Sequence, residues 1–217
     1  MLTEWIKAMR IFVRNGYKAI TMDVNSNRYS IKSISIYHCF FVLISLLCVF
    51  FLPKGLNEEF IDYIKDIFAI FIGFFVTALT LIYDKLNISK IPSQNEKDGM
   101  LASDRPTSID ILRMKQEHNY VIRFFYSIGF NILFATLTLL LLIPIIFWKE
   151  FFSIDVSKYQ FVDHIEDLNK DTILLGCHIA FLLFYRLIVV CLIIKVFFYT
   201  VYMITSLLQV LISKKKI

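Results

Sequence analysis

Apolar and polar positions alternate along the chain in blocks that define its elements. Leu2, Trp5, Ile6, Met9, Phe12, Val13 and Tyr17 recur at helical spacing, while Lys7, Arg10, Arg14 and Lys18 fall largely between them. The spacing predicts a basic amphipathic helix. It either lies on an anionic membrane surface or packs on the rest of the protein as an ordinary cytosolic helix. Charges interrupt the segment throughout and no small-residue cleavage site follows, which excludes a cleavable signal peptide.

Four long apolar runs follow. Ile34 to Leu52 holds nineteen residues without a formal charge, enough at ~1.5 Å per residue to cross a ~30 Å hydrocarbon core. Pro53, Lys54 and Gly55 end it. The second core, Ile67 to Tyr83, lies between Asp66 and Asp84 and extends a turn at its start. The third, Phe124 to Trp148, has no charge in twenty-five residues; Pro144 predicts a kink near its end, and Trp148 and Lys149 mark an interface. The last run, Thr172 to Ser213, would measure ~60 Å as one helix, twice the hydrocarbon thickness. The preferred frame is one span at about Ile173 to Ile194 followed by an apolar helical extension from Val196. The other places the span just before the terminal lysines, with Thr172 to Val190 projecting outside. Either leaves an apolar helix partly outside lipid, which neighbouring subunits would cover.

Composition agrees with this pattern. Apolar residues make up 58% of the chain and charged residues 19%, with 22 phenylalanines and a mean hydropathy of +0.66. These values predict an all-α integral membrane protein with four transmembrane helices and a long final helix. Basic residues set its expected orientation. Residues 1–33 carry six Lys/Arg against two Asp/Glu, and 84–123 carry seven against six. The segments 53–66 and 149–171 carry two against four and three against six. Both termini and the middle loop are therefore expected on the cytoplasmic side. The organisation expected is a cytoplasmic amphipathic segment (1–33), a first helix pair (34–83), a cytoplasmic loop with a juxtamembrane helix (84–123), a second pair with an acidic external loop at 149–171 (124–194), and a cytoplasmic extension with a basic tail (195–217).

Candidate chemistry is sparse. Cys39, Cys48, Cys177 and Cys191 lie in apolar runs without CxxC spacing, and His38, His118, His164 and His178 are scattered. Neither a metal site nor a cofactor site is expected, and no convergent set of acid, base and nucleophile points to an enzyme. Arg186 is the costliest residue. In the first frame it sits ~20 Å below the outer edge, where it needs a partner, a lipid headgroup or water. Lys195 falls at the inner interface and snorkels, and Asn131 is a further intramembrane polar position. Small or polar residues recur at four-residue spacing as Ala69, Gly73 and Thr77, as Ser127, Asn131 and Ala135, and as Gly176 and Ala180. The first two stripes are expected to pack within the protein, with a pore lining as the other possibility, and the third between subunits. Val196, Phe197, Phe198, Tyr199, Val201, Tyr202 and Met203 form an apolar surface almost all round, with Phe197, Phe198, Val201 and Tyr202 as expected oligomer contacts.

In the middle loop, Arg105-Pro106 leads into Thr107-Ser108-Ile109-Asp110, a capping-box-like helix start. Ile111, Met114, His118, Ile122 and Phe125 share one face, so this helix is expected to run into the third span. The loop is either a partner-docking surface or a solvated connector. Arg10, Arg14, Lys18, Arg105, Arg113, Lys115, Lys214, Lys215 and Lys216 are the candidate contacts to anionic lipids or an acidic partner.

With four spans, a basic start and the stretch Phe71-Ile72-Gly73-Phe74-Phe75-Val76-Thr77-Ala78-Leu79-Thr80, the protein resembles KwaA-like membrane components of the bacterial Kiwa anti-phage defence system. The resemblance implies a homo-oligomer, a tetramer, in the bacterial inner membrane. It implies a sensor of phage attack at the envelope that works with a cytosolic DNA-binding partner resembling KwaB, with no direct nucleic-acid contact of its own. The alternative is a pore or depolarising channel, motivated by Arg186 and the small-residue stripes.

Overall fold

The computed structural model describes residues 1–22, 27–52, 55–88, 106–152, 154–155 and 170–214, with side chains for all of these except 81–88, 171 and 206–214. The described residues form α1 (Leu2–Thr21), α2 (Ile31–Phe50), α3 (Glu58–Ile88), α4 (Ser108–Phe147), α5 (Lys149–Phe152) and α6 (Lys170–Lys214). Among them, residue pairing outside helices is limited to one isolated bridge, Met22 to Arg28. Four helices, α2, α3, α4 and α6, are long and apolar enough to cross a membrane. The fold is all-α and of multi-pass transmembrane character.

Local chemistry explains where the helices begin. Asn57 caps α3 by accepting the backbone N–H of Phe60 at 3.0 Å, and Glu58 and Glu59 occupy the first turn, where the helix dipole favours acids. At α4 the expected capping box forms. The Asp110 amide donates to Thr107 Oγ1 at 3.2 Å, and Asp110 Oδ2 accepts from the Thr107 amide at 3.0 Å. From that start α4 runs 40 residues, through Pro144, to a turn at Trp148. The juxtamembrane helix and the third span are thus one helix, and the last apolar run is likewise one unbroken helix of 45 residues.

The protein divides into two compact units: Met1–Ile31 with Gly73–Ile132, and Lys32–Ile72 with Leu133–Ile217. The linear division expected from charge groups residues by membrane side; packing groups them differently. The second unit has a core of Ile61, Ile64 and Phe68 from α3, Ala135, Leu142 and Ile145 from α4, Phe152 from α5, and Leu182, Val189, Ile193 and Val196 from α6. Ser45, Thr138 and Thr200 are buried in this apolar setting, and each hydroxyl donates to the carbonyl four residues earlier, at 2.6, 2.7 and 2.7 Å. In the first unit, α1 packs on the part of α4 around Arg123–Phe130.

Several expectations change. The stripe Ala69, Gly73 and Thr77 is exposed, and a Cβ on Gly73 would meet nothing within 4 Å. Among the described residues this stripe therefore does not form a packed face. The face of α3 that enters the core of the second unit is the bulkier one, Ile61, Ile64 and Phe68, because volume rather than small size fills this core. Nor do residues 196–203 stand apart as an extension. Val196, Tyr199 and Met203 are buried, and Phe197 packs on Phe68 and Phe71 with ring centroids 6.0 and 5.6 Å apart. Phe197 is thus an internal contact, while Phe198, Val201 and Tyr202 remain exposed.

Candidate functional site

Two constructions stand out, one in each unit. In the first, α1 and α4 meet through reciprocal glycines. A Cβ on Gly16 would lie 2.7–2.8 Å from Phe130, and a Cβ on Gly129 would overlap the Phe12 ring. Each glycine therefore receives a phenylalanine of the other helix, and Phe12 also packs on Tyr126 at 5.8 Å. One turn further on, Arg123 closes the end of α1. Its Nη2 donates to the carbonyl of Ala19 at 2.9 Å and to that of Met22, and its Nε donates to Ala19 at 3.2 Å. These carbonyls are among those the last turn of a helix leaves unsatisfied, so the Arg123 guanidinium caps the C-terminal end of α1.

The packed face of α1 is Phe12, Gly16 and Ala19. A second apolar stripe, Leu2, Ile6, Val13 and Tyr17, remains exposed, and Arg10, Arg14 and Lys18 are exposed beside it. Arg113 and Lys115 are exposed on the first turns of α4. Arg105, Lys215 and Lys216 lie outside the described residues, as does the side chain of Lys214. Ser127 is half-buried and Asn131 buried, both in this unit; Ala135 is buried in the core of the other.

The second construction surrounds Arg186, which is 3% exposed. Its Nη2 donates to the backbone carbonyls of Phe152 at 3.0 Å and Ile154 at 2.8 Å. Asp155 acts on it electrostatically. Gly55, at φ +81°, lies against the guanidinium so closely that a Cβ there would sit 2.6 Å from Nη2. Arg186 is thus engaged by the turn between α2 and α3 and by the segment after α5. Its partners are backbone carbonyls and a loop carboxylate, which is how a protein with no acid in its apolar runs satisfies a buried cation. Tyr185 supports the same corner, donating from its hydroxyl to the Leu141 carbonyl and packing on Phe152 at 4.9 Å.

Lys195 is half-buried nine residues further along α6, Gly176 is half-buried with nothing within 4 Å of its Cβ position, and Ala180 is exposed. Phe198 packs on Phe41 at 5.2 Å and lines an open groove of about 450 Å³ with Ser33, Ile36, Tyr37 and Phe40. Among the described residues no group of three or more His, Cys, Asp or Glu is placed to hold a metal ion.

Sequence reasoning missed Gly16, Gly129, Arg123 and Gly55. Isolated glycines inside helical patterns are a usable signal for close approach, and Arg123 stands at the last charge before an apolar run. No family model, curated protein or solved structure matches the sequence.

Proposed function

We propose that the protein is a membrane-embedded, oligomeric sensor or scaffold that displays a basic surface to a cytosolic partner. In the anti-phage setting implied by its resemblance, it detects envelope perturbation in the bacterial inner membrane and recruits or regulates a DNA-binding protein resembling KwaB. The observation that carries this reading is the clamp on α1. Arg123 and the paired glycines hold an amphipathic helix against α4 while Arg10, Arg14 and Lys18 stay exposed. A rigidly seated helix with a free basic face suits an acidic partner or anionic headgroups. The pore alternative drew on Arg186 and the small-residue stripes, and the Arg186 guanidinium is engaged by carbonyls of its own polypeptide.

Co-purification of a soluble nucleic-acid-binding protein with it from mild detergent tests the reading. Charge reversal at Arg10, Arg14 and Lys18 is expected to release the partner without altering membrane insertion. Unchanged retention, or ion leakage from liposomes that Arg186→Ala abolishes, overturns it.

A further inference from the structure

The level of Arg186 fixes where α6 leaves the bundle. In the second unit, Phe134 stacks on Tyr199 at 6.2 Å, Phe68 packs on Phe197 at 6.0 Å and Phe41 packs on Phe198 at 5.2 Å. Counting outward from each pair at equal rise per residue brings Phe147, Glu58 and Phe50, the ends of α4, α3 and α2, level with residues 186–189 of α6. Gly55, Phe152 and Ile154 around Arg186 agree. At that same end Lys149 and Glu58 form an ion pair at 2.8 Å, with side chains 61% and 71% exposed, the mark of a water boundary. Alongside α2, α6 therefore runs from about residue 189 to 208, ~30 Å and one bilayer thickness. Lys170–Tyr185 adds ~24 Å of helix beyond the ends of α2, α3 and α4. Along one side of it packs α5, Phe151 against His178 at 3.9 Å and Phe181 at 6.2 Å, and Phe152 against Tyr185 at 4.9 Å.

That overhang is apolar, and its free face has a definite period. Leu174, Cys177, Phe181, Phe184 and Ile188 follow one another at steps of three, four, three and four, and all are exposed. This is the a/d repeat of a coiled-coil seam. Leu182, Val189 and Arg186, on the other side of the helix, are buried. Leu174 is 72% exposed, Phe184 62%, Ile173 54% and Phe181 49%. At ~150–250 Å² for a fully buried aromatic and roughly half that for an aliphatic side group, the face offers on the order of 500 Å² per copy. A pair would bury ~1,000 Å², the size at which specific interfaces begin.

We infer that Lys170–Tyr185 stands outside the lipid, on the face of the membrane opposite α6's C-terminal end, and forms a parallel coiled-coil seam with the same segment of a second copy. Copies inserted in one membrane share one orientation, so identical a/d stripes meet in register. The seam rests on the oligomeric reading above and names the surface that serves it.

Cross-linking in intact membranes tests it. Oxidation with copper–phenanthroline is expected to link two copies through native Cys177, and Cys177→Ser is expected to abolish the product. In the Cys177→Ser background, Leu174→Cys, Phe181→Cys and Phe184→Cys are expected to restore it. Leu183→Cys, partly exposed on the other side of the helix, is expected to react with a membrane-impermeant maleimide and not to cross-link. A Leu183→Cys thiol sealed from that reagent means lipid covers the segment and overturns the inference, as does a seam that links only to a different protein. An oligomer in mild detergent whose seam positions never cross-link removes the seam and leaves the oligomeric reading standing. A monomer without cross-links removes both.

Discussion

Arg186→Ala is the sharpest perturbation of this fold. The substitution removes two charge-assisted hydrogen bonds, to Phe152 at 3.0 Å and Ile154 at 2.8 Å, from a side chain that is 3% exposed. Bonds to a charged group contribute ~1.5–3 kcal/mol each, and the freed carbonyls recover part of the loss by turning to water, so the expected cost is about 3 kcal/mol. For a protein of this length that is a fall in Tm of roughly 6–12 °C, read as soluble, monodisperse protein after heating in detergent. Arg186→Lys keeps the charge with a shorter reach and is expected to lose about half as much. A double-mutant cycle with Gly55→Ala isolates the contact. Alone, that change drives a Cβ to 2.6 Å from the guanidinium at φ +81°. In the Arg186→Ala background the clash vanishes and only the backbone cost of ~1–2 kcal/mol remains. The two substitutions are therefore expected to couple by ~1 kcal/mol or more. Strict additivity, or an Arg186→Ala variant as stable as the parent, would refute the account of this corner.

Gly129→Ala forces a methyl into the Phe12 ring and is expected to cost ~1–3 kcal/mol, seen as faster tryptic cleavage at Arg10 and Arg14 when α1 lifts off. Arg123→Ala removes the cap on the Ala19 and Met22 carbonyls and is expected to give the same cleavage pattern with α4 intact by circular dichroism. Gly73→Ala meets open space on a helix, so a gain of about 1 kcal/mol and a Tm rise of a few degrees are expected. A loss there would place another polypeptide on that face. Thr107→Ala breaks the capping box and is expected to cost ~1 kcal/mol, measured as faster amide exchange over residues 108–111.

Much of the fold was legible because it is written locally. Charge-free runs located the four long helices, and Thr107 with Asp110 announced the start of α4. The level of the last helix was not legible. Its apolar run is uniform, and Arg186 and Lys195, nine residues apart, each offer a plausible boundary. Rings brought together from distant parts of the sequence, such as Phe134 and Tyr199, relate the level of α6 to that of α4. The partners of Arg186 were hidden for a related reason. They are backbone carbonyls at Phe152 and Ile154, which every residue possesses, so no pattern of residue types marks them. The stripe at Ala69, Gly73 and Thr77 misled because spacing shows which residues share a face and is silent on what that face meets.

The seat of α1 has a bearing on how the protein is made. Its closing contact joins Arg123 to Ala19, 104 positions earlier in the sequence. At ~5–20 residues per second, the ribosome needs about 5–20 s to travel that distance. Throughout that interval the nascent helix has neither its cap nor the glycine pocket that receives Phe12. Until then its apolar residues and cations are free together. α1 is therefore made well before the surface that seats it, and it locks into place only once this part of α4 has been synthesised.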